Sequence, residues 1–150
     1  MISIINKTRH YIEKNKAKKF LRSILKLCDA AYGRRHGDIN LLFCDREFIR
    51  KLNLQYRKKN APTDVLSFNL SGDDEKISGD IALNIEVTLE NGLDSRSHAD
   101  MVIAETIVHG LMHLYGETHS YSRSEYQRLH GKQIKMLEKI NVPCDFVKAV

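Results

Sequence analysis

Three histidines in the segment HGLMHLYGETH, residues 109 to 119, have a spacing typical of a metal site. His109 and His113 are four residues apart, so on a helix both rings lie on the same side. Gly116 can reverse the chain just after that helix and bring His119 back toward the other two. Three imidazoles suit zinc, with bonds of about 2.0–2.1 Å, and they leave one coordination position open for a water whose pKa falls toward about 7. The pattern predicts a catalytic zinc site with one ion per chain, nickel or another divalent metal being the alternative.

The residue after the first histidine separates this segment from the zinc peptidases. Those enzymes carry a glutamate there that acts as a general base, whereas this chain has Gly110. Glu105, one turn before His109, could accept the second ring N–H of that histidine. Glu117 could face either the metal or solvent. A solvated turn position is the simpler interpretation of Glu117, since acidic side chains are mostly exposed.

The metal-binding segment is predicted to end a central helix. Between Ser97 and Tyr115 apolar residues occupy most of the helix circumference, which indicates burial on nearly all sides. Ser97 and Asp100 form a weak capping box, and Gly116 sits where a left-handed C-terminal cap belongs. Another helix, over about residues 122–140, closes the chain.

The preceding residues alternate between strand and helix patterns. Helical spacing is present in EKNKAKKFLRSILKLCDAAYG and in REFIRKLNLQYR, and strand patterns are present in ISII, INLLFCD, APTDVLSFNL and IALNI. The last two strands are expected to form a hairpin, with SGDDEKISGD as the loop between them. The sequence therefore predicts an α+β fold, in which a small mixed sheet of about four strands packs with about five helices. The central buried helix would carry the metal ligands, in a zincin-like arrangement.

Length and composition limit the class of protein. The chain has 150 residues, of which 42% are hydrophobic and 29% charged, which predicts one globular domain over residues 1–150. Cys28, Cys44 and Cys144 lie far apart and are odd in number, so neither a disulfide framework nor a cysteine zinc site is indicated. No apolar run approaches the roughly 18 residues of a membrane span. We therefore expect a cytoplasmic protein with no membrane partner.

Charge is distributed unevenly along the chain. Residues 1–60 contain 16 Lys and Arg against 5 Asp and Glu, whereas residues 61–150 contain 8 against 14. The basic part is a candidate surface for a polyanion. Such runs more often mean only a solvated helix face, so charge alone leaves both interpretations open.

Three segments together resemble one known family. HGLMHLYGETH resembles the HGxLHLxGxxH motif of the YbeY family of metal-dependent endoribonucleases. LNLQYRKKNAPTDVLSF, residues 52 to 68, and GDIALN, residues 79 to 84, are similar to two other segments of that family, in the same order. The resemblance implies an α+β protein of the bacterial cytosol, with zinc held by His109, His113 and His119. It also implies a role in rRNA maturation, notably at the 3′ end of 16S rRNA, and in ribosome quality control.

The resemblance also suggests a cationic group for the substrate phosphate. Arg57 matches the arginine of the family's LNxxYR motif, and its planar fork can contact two phosphate oxygens. Lys58 and Lys59 would extend the positive track. The alternative for Arg57 is a helix-end residue that compensates the helix dipole. Asp64, Ser67 and Asp80 are interpreted as structural: a strand-start cap, a strand residue and a turn acceptor.

One position departs from the family pattern. The family usually has Asp immediately before its third histidine, and this chain has Thr118 there. This chain therefore has no carboxylate at that position to act as a ligand or base, although Thr118 could still hydrogen-bond a water.

The sequence thus predicts a metal-dependent endonuclease specific for single-stranded RNA, with Arg57 and His113 as catalytic residues. Its partners would be rRNA and the ribosome or its small subunit, and DNA is not expected. Two other functions stay open: a zinc-dependent peptidase-like hydrolase, and a non-catalytic ribosome-binding factor that zinc only stabilises. The sequence leaves the general base and the oligomeric state open.

Overall fold

A computed structural model describes residues 1–72, 76–91, 96–118, 122–143 and 145–148. Its strands are β1 (Ile2–Asn6), β2 (Tyr11–Ile12), β3 (Arg35–Cys44), β4 (Val65–Asn69), β5 (Lys76–Asn84) and β6 (Val147–Lys148). Its helices are α1 (Lys14–Tyr32), α2 (Arg46–Arg57), α3 (Ile85–Asn91), α4 (Arg96–Leu114) and α5 (Arg123–Glu138).

Four of these strands form a mixed sheet, as the sequence predicted. The strand order is β1-β3-β5-β4, with β1 parallel to β3, β3 parallel to β5, and β4 antiparallel to β5. β2 and β6 form a separate two-stranded antiparallel sheet. The α+β class is therefore confirmed, and so is the hairpin of β4 and β5.

The predicted boundaries of the hairpin were wrong. β5 begins at Lys76, inside the stretch expected to be a loop, because Lys76 and Ile77 pair with Arg35 and His36 of β3. β5 ends at Asn84, one residue before the expected end. The carboxamide oxygen of Asn84 accepts the backbone N–H of Glu86 at 3.2 Å, and this bond starts α3, a helix that was not predicted from the sequence.

Helix α4 is central and buried, as expected. Ile103, Ala104, Ile107 and Val108 are fully buried, and they belong to a core cluster shared with α1, β3 and β5. α1, α4 and α5 pack together, and a smaller apolar cluster beneath α2 includes Ile49. α4 thus has few solvent-facing positions, and its last two turns carry His109 and His113.

The predicted capping box at the start of α4 was wrong. The helix already includes Ser97, since it begins at Arg96. The carboxylate of Asp100 instead accepts the backbone N–H groups of Asp145 and Phe146, at 2.8 and 3.1 Å. Asp100 therefore joins the C-terminal segment to α4. No helix in the described ranges combines the length and apolarity needed to cross a membrane.

Candidate metal and RNA site

The last two turns of α4 bring two imidazoles face to face. The Nε2 atoms of His109 and His113 are 3.0 Å apart, and the ring centroids are separated by 4.6 Å with the planes at 80°. Both side chains are half-buried. Two ring nitrogens at this distance can share a proton or bind a common cation, and the four-residue spacing places both rings on the same side of the helix.

The end of α4 fixes the orientation of the second ring. Gly116 has a φ of 100°, and the N–H groups of Gly116 and Glu117 donate to the carbonyls of His113 and Met112 at 3.1 and 3.0 Å. These two bonds form a Schellman motif, and they confirm the predicted left-handed cap. The turn places the Glu117 carbonyl 2.8 Å from Nδ1 of His113.

This contact has a consequence for protonation. Because a carbonyl can only accept, Nδ1 of His113 must donate, and in the neutral ring Nε2 then carries a lone pair directed at His109. A ligating histidine held through its other nitrogen by a backbone carbonyl is the usual arrangement in metal sites. The donor set available in the described residues therefore fits a late divalent metal such as zinc.

The third histidine, His119, lies outside the described residues. In the part of the chain that is described, no group of three or more His, Cys, Asp or Glu side chains is arranged to hold a metal. The described residues supply two nitrogens of the predicted set of three, and the described range ends at Thr118, one residue before His119.

Arg57 faces the same cavity as the histidine pair. A cavity of about 420 Å³, hereafter the phosphate cavity, is lined by Arg57, Thr118, both histidines and the start of β4. Arg57 is the last residue of α2 and its Nη2 donates to the Ser67 carbonyl at 3.3 Å. Arg57 therefore lies both at the end of α2 and on the wall of the cavity, so the two interpretations of this residue are compatible.

The two lysines after Arg57 are placed differently. Lys58 and Lys59 are exposed and do not line the phosphate cavity. Lys58 has a φ of 59° and caps α2, its N–H donating to Leu54 O at 3.2 Å. The tight turn moves the chain away from α2 directly after Arg57, which is why neighbours in sequence do not share the cavity.

Gly110 lies against the sheet, which explains why this position has no side chain. Its carbonyl accepts the Ser67 hydroxyl at 2.8 Å. A Cβ added there would lie 3.0 Å from Cγ2 of Ile81 and 3.2 Å from both Ser67 Oγ and Val65 Cγ2. A glutamate at this position would thus meet β4 and β5 rather than the histidine pair.

The carboxylate of Glu117 turns away from the histidines. Its oxygens accept from Arg128 at 3.1 Å, Lys132 at 2.8 Å and the Tyr32 hydroxyl at 3.1 Å. Although burial opposes its charge, Lys132, Arg128 and Tyr32 lower the pKa of Glu117 to about 2. Only 12% of the side chain is exposed, so the expectation of a solvated turn residue was wrong. Glu117 reaches the histidine pair through its backbone carbonyl instead.

The other residues singled out from the sequence have defined positions. The prediction that Asp80 is a turn acceptor was wrong, because Asp80 lies within β5. Its carboxylate accepts from Asn40 Nδ2 at 2.8 Å, which joins β5 to the neighbouring strand β3. Asp64 directly precedes β4, and it lines the phosphate cavity as well as a second cavity. Glu105 lines this second cavity together with His109.

The second cavity, hereafter the α5 cavity, has a volume of about 410 Å³ and lies between α3, α4 and α5. Tyr126 and His130 of α5 contribute to its wall, and no function was predicted for either residue from the sequence. The sequence does place a tyrosine one helical turn before a histidine here. That pattern is also common on ordinary helix surfaces, so it does not indicate a cavity.

Comparisons with known proteins decide the family. The family model for endoribonuclease YbeY matches residues 3–141. The chain belongs to the YbeY endoribonuclease family. Proteins described as endoribonuclease YbeY include one from Acinetobacter baumannii, which is 34% identical in an alignment that covers 70% of this chain and 71% of that protein. One from Carboxydothermus hydrogenoformans is 33% identical over 72% of this chain and 76% of its own length. One from Borrelia turicatae is 34% identical over 80% of this chain and 81% of its own length.

A solved structure shares the YbeY-like fold described above. The solution structure of TM1509 from Thermotoga maritima superposes with a TM-score of 0.60 and covers 93% of this chain and 88% of that one. The sequence identity is 24%, so this likeness concerns the fold alone.

Proposed function

We propose that this YbeY-family protein is a metal-dependent endonuclease that cleaves single-stranded RNA. The observation that carries the proposal is the convergence of His109 Nε2, His113 Nε2 and Arg57 on one cavity. Family membership supplies the substrate class, since the relatives are described as endoribonucleases.

The metal would be held by His109, His113 and His119, one ion per chain, with zinc the expected ion and nickel or another divalent metal the alternative. The fit rests on the His113 ring, whose Nδ1 is committed to the Glu117 carbonyl and whose Nε2 lone pair points into the site. When bound, the ion supplies Lewis-acid stabilisation of charge on a phosphoryl group and lowers the pKa of a water.

The residues of the chain supply the rest. Arg57 contacts the scissile phosphate, and its contact with the Ser67 carbonyl leaves the remaining guanidinium N–H groups for phosphate oxygens. The Ser67 hydroxyl in turn donates to the Gly110 carbonyl, which joins β4 to the helix that carries both histidines. This chain of contacts fixes the distance between the cation and the imidazoles, which is what positioning catalysis requires.

Proton handling falls to water or to Thr118. A carboxylate whose pKa is about 2 and which is held by Arg128 and Lys132 is too weak a base and points the wrong way, so Glu117 has no such role. Thr118 is exposed on the wall of the phosphate cavity and can hydrogen-bond a water there.

The two rival functions are less well supported. A peptidase of the HExxH type needs a carboxylate beside the first histidine, and Gly110 is packed where no such side chain fits. A ribosome-binding factor with a purely structural metal could also place an arginine on phosphate, but it would give no reason for that arginine and the histidine pair to line one open cavity. We further propose that the cellular substrate is rRNA, at the 3′ end of 16S rRNA, on or near the small ribosomal subunit in the cytoplasm, with quality control as part of that role.

The test compares the purified protein with His113→Ala and Arg57→Glu. We expect His113→Ala to lose both bound metal, measured by elemental analysis, and cleavage of a single-stranded rRNA 3′-end fragment. Arg57→Glu should lose cleavage and keep the metal. Lys51→Glu is the matched control, because it makes the same charge change on the exposed face of the same helix and should leave both readouts unchanged. Cleavage retained by Arg57→Glu, or metal lost from it, would refute the assigned role.

A further inference from the structure

The α5 cavity opens beside the phosphate cavity, and the two share Asp64 and His109 on their walls. A strand of RNA whose phosphate lies at Arg57 and the histidine pair therefore has its neighbouring nucleoside at the entrance of the α5 cavity. From this juxtaposition we propose that the α5 cavity binds one unpaired nucleobase next to the scissile phosphate. The inference rests on the proposed endoribonuclease function and adds a specificity subsite to it.

The charges of the α5 cavity suit a neutral group rather than a phosphate. Asp64 and Glu105 line it, and no lysine or arginine does so among the described residues. Asp64 also lines the phosphate cavity, but Arg57 offsets its charge there. In the α5 cavity two carboxylates without such a cation would repel a phosphate, whereas the base is the uncharged part of a nucleotide. The phosphate cavity contains Arg57, so the phosphate of a nucleotide binds in that cavity and its base binds in the α5 cavity.

An aromatic wall supplies the stacking surface. The rings of Tyr126 and His130 are parallel to within 5°, with their centroids 6.0 Å apart, and 59% of Tyr126 is exposed. Unpaired bases are bound mainly by stacking on such rings, because every base has a flat π face. The volume of about 410 Å³ lies within the usual range for small-ligand sites.

The polar lining favours bases that carry an amino group. The hydroxyls of Thr88 and Thr106 donate to the carbonyls of Asn84 and Val102, at 2.9 and 2.7 Å, so each offers only lone pairs to a ligand. The carboxylates of Asp64 and Glu105 also accept. Adenine and cytosine present exocyclic N–H donors, whereas the corresponding group of a uracil is a carbonyl acceptor. Uridine should therefore be disfavoured at this position.

The experiment uses the metal-loaded full-length protein and short single-stranded RNAs that differ at the base next to a mapped cut. We expect Tyr126→Ala to raise KM, and the dissociation constant measured by fluorescence anisotropy, by roughly ten-fold, which corresponds to the loss of one stacked base. kcat should stay within about two-fold, because stacking stabilises bound substrate and transition state equally. Tyr126→Phe should behave as the wild type, since it keeps the ring. Tyr11→Ala, which removes a tyrosine of similar exposure (54%) from β2, should also leave both constants unchanged.

Base identity gives a second readout. Uridine at the flanking position should raise KM for the wild type but not for Tyr126→Ala, because the variant no longer holds the base against the acceptor groups. A Tyr126→Ala protein with wild-type KM and base preference would overturn the subsite while leaving the endoribonuclease proposal intact. A loss in Tyr126→Phe as large as in Tyr126→Ala would overturn the stacking role. If wild-type protein cleaves no RNA, the proposed function fails, and the anisotropy titration of the same variants still decides whether the base is bound.

Discussion

Replacement of Gly110 by alanine tests the packing that separates this site from a peptidase site. An alanine in a helix interior is normally more favourable than a glycine by about 0.5–1 kcal/mol. Here the new methyl would lie 3.0 Å from Ile81 Cγ2 and 3.2 Å from Val65 Cγ2 and Ser67 Oγ. All three neighbours belong to paired strands, and Ser67 also donates to the Gly110 carbonyl, so none of them can move without disturbing the sheet.

The magnitude follows from two opposing terms. Overpacking of a tight interior costs about 1–3 kcal/mol, which exceeds the gain in helix propensity. We expect Gly110→Ala to lower the free energy of unfolding by about 1 kcal/mol. Gly131, in the interior of α5, is the matched control, because a Cβ there meets nothing within 4 Å. Gly131→Ala should raise the free energy of unfolding by about 0.5–1 kcal/mol.

Urea unfolding monitored by circular dichroism measures both changes in free energy, and thermal unfolding measures the accompanying shifts in Tm. For a chain of this size the two variants should fall on opposite sides of the wild type, each displaced by about 2–4 °C in Tm. A Gly110→Ala protein as stabilised as Gly131→Ala would show that α4 does not press on the sheet at this residue. The exclusion of a glutamate side chain would then lose its physical basis.

Three further predictions concern other parts of the fold. Glu117→Gln should lower the free energy of unfolding by about 1–2 kcal/mol, because the charged groups of Arg128 and Lys132 lose their counterion. Glu125→Gln, on α5, should change it little, because 40% of the Glu125 side chain is exposed and solvent screens its ion pair with Arg128. Since the pKa of Glu117 is lowered to about 2, this stabilisation is present above about pH 4.5 and is lost as the pH falls toward 2, so wild-type and Glu117→Gln unfolding curves should converge there; a constant difference would contradict it. Burial raises the pKa values of Cys28 and Cys44 to about 12, so iodoacetamide at pH 8 should modify neither thiol in the native protein and both in guanidinium chloride, as read by peptide mass spectrometry. Lys14→Glu should raise the free energy of unfolding by about 0.5 kcal/mol, since α1 has no acidic residue in its first turn and no side-chain cap, while Lys26→Glu, further along α1, should give no such gain.

Local patterns were sufficient for the elements that carry the histidines. The nearly all-round apolar character of residues 97–115 predicted a central helix, and the structure has α4 at Arg96–Leu114 with its core residues fully buried. The spacing of His109 and His113 predicted a convergent pair, and their Nε2 atoms are 3.0 Å apart. Both outcomes depend on the helical repeat, and sequence periodicity reports that repeat directly.

Features that depend on distant partners were not predictable in the same way. The first residues of β5 look like a polar loop, and they form a strand because β3 offers them hydrogen-bonding partners. Glu117 looks like a turn residue, yet Arg128, Lys132 and Tyr32 enclose its carboxylate from two other helices. Strand pairing and side-chain enclosure are set by what packs alongside, so local propensity is a weak guide to them.

The sequence by itself determined the helix that bears the histidines, the turn at Gly116 and the family. Apart from Arg57, which the family resemblance had singled out, only the tertiary structure decided which residues surround them. It placed Arg57 at the phosphate cavity and Lys58 outside it, it packed Gly110 on the sheet, and it brought Tyr126 to a cavity beside His109. The physical reason is that a helix fixes neighbours three and four residues apart, whereas a cavity is formed by residues whose separation along the chain carries no periodic signal.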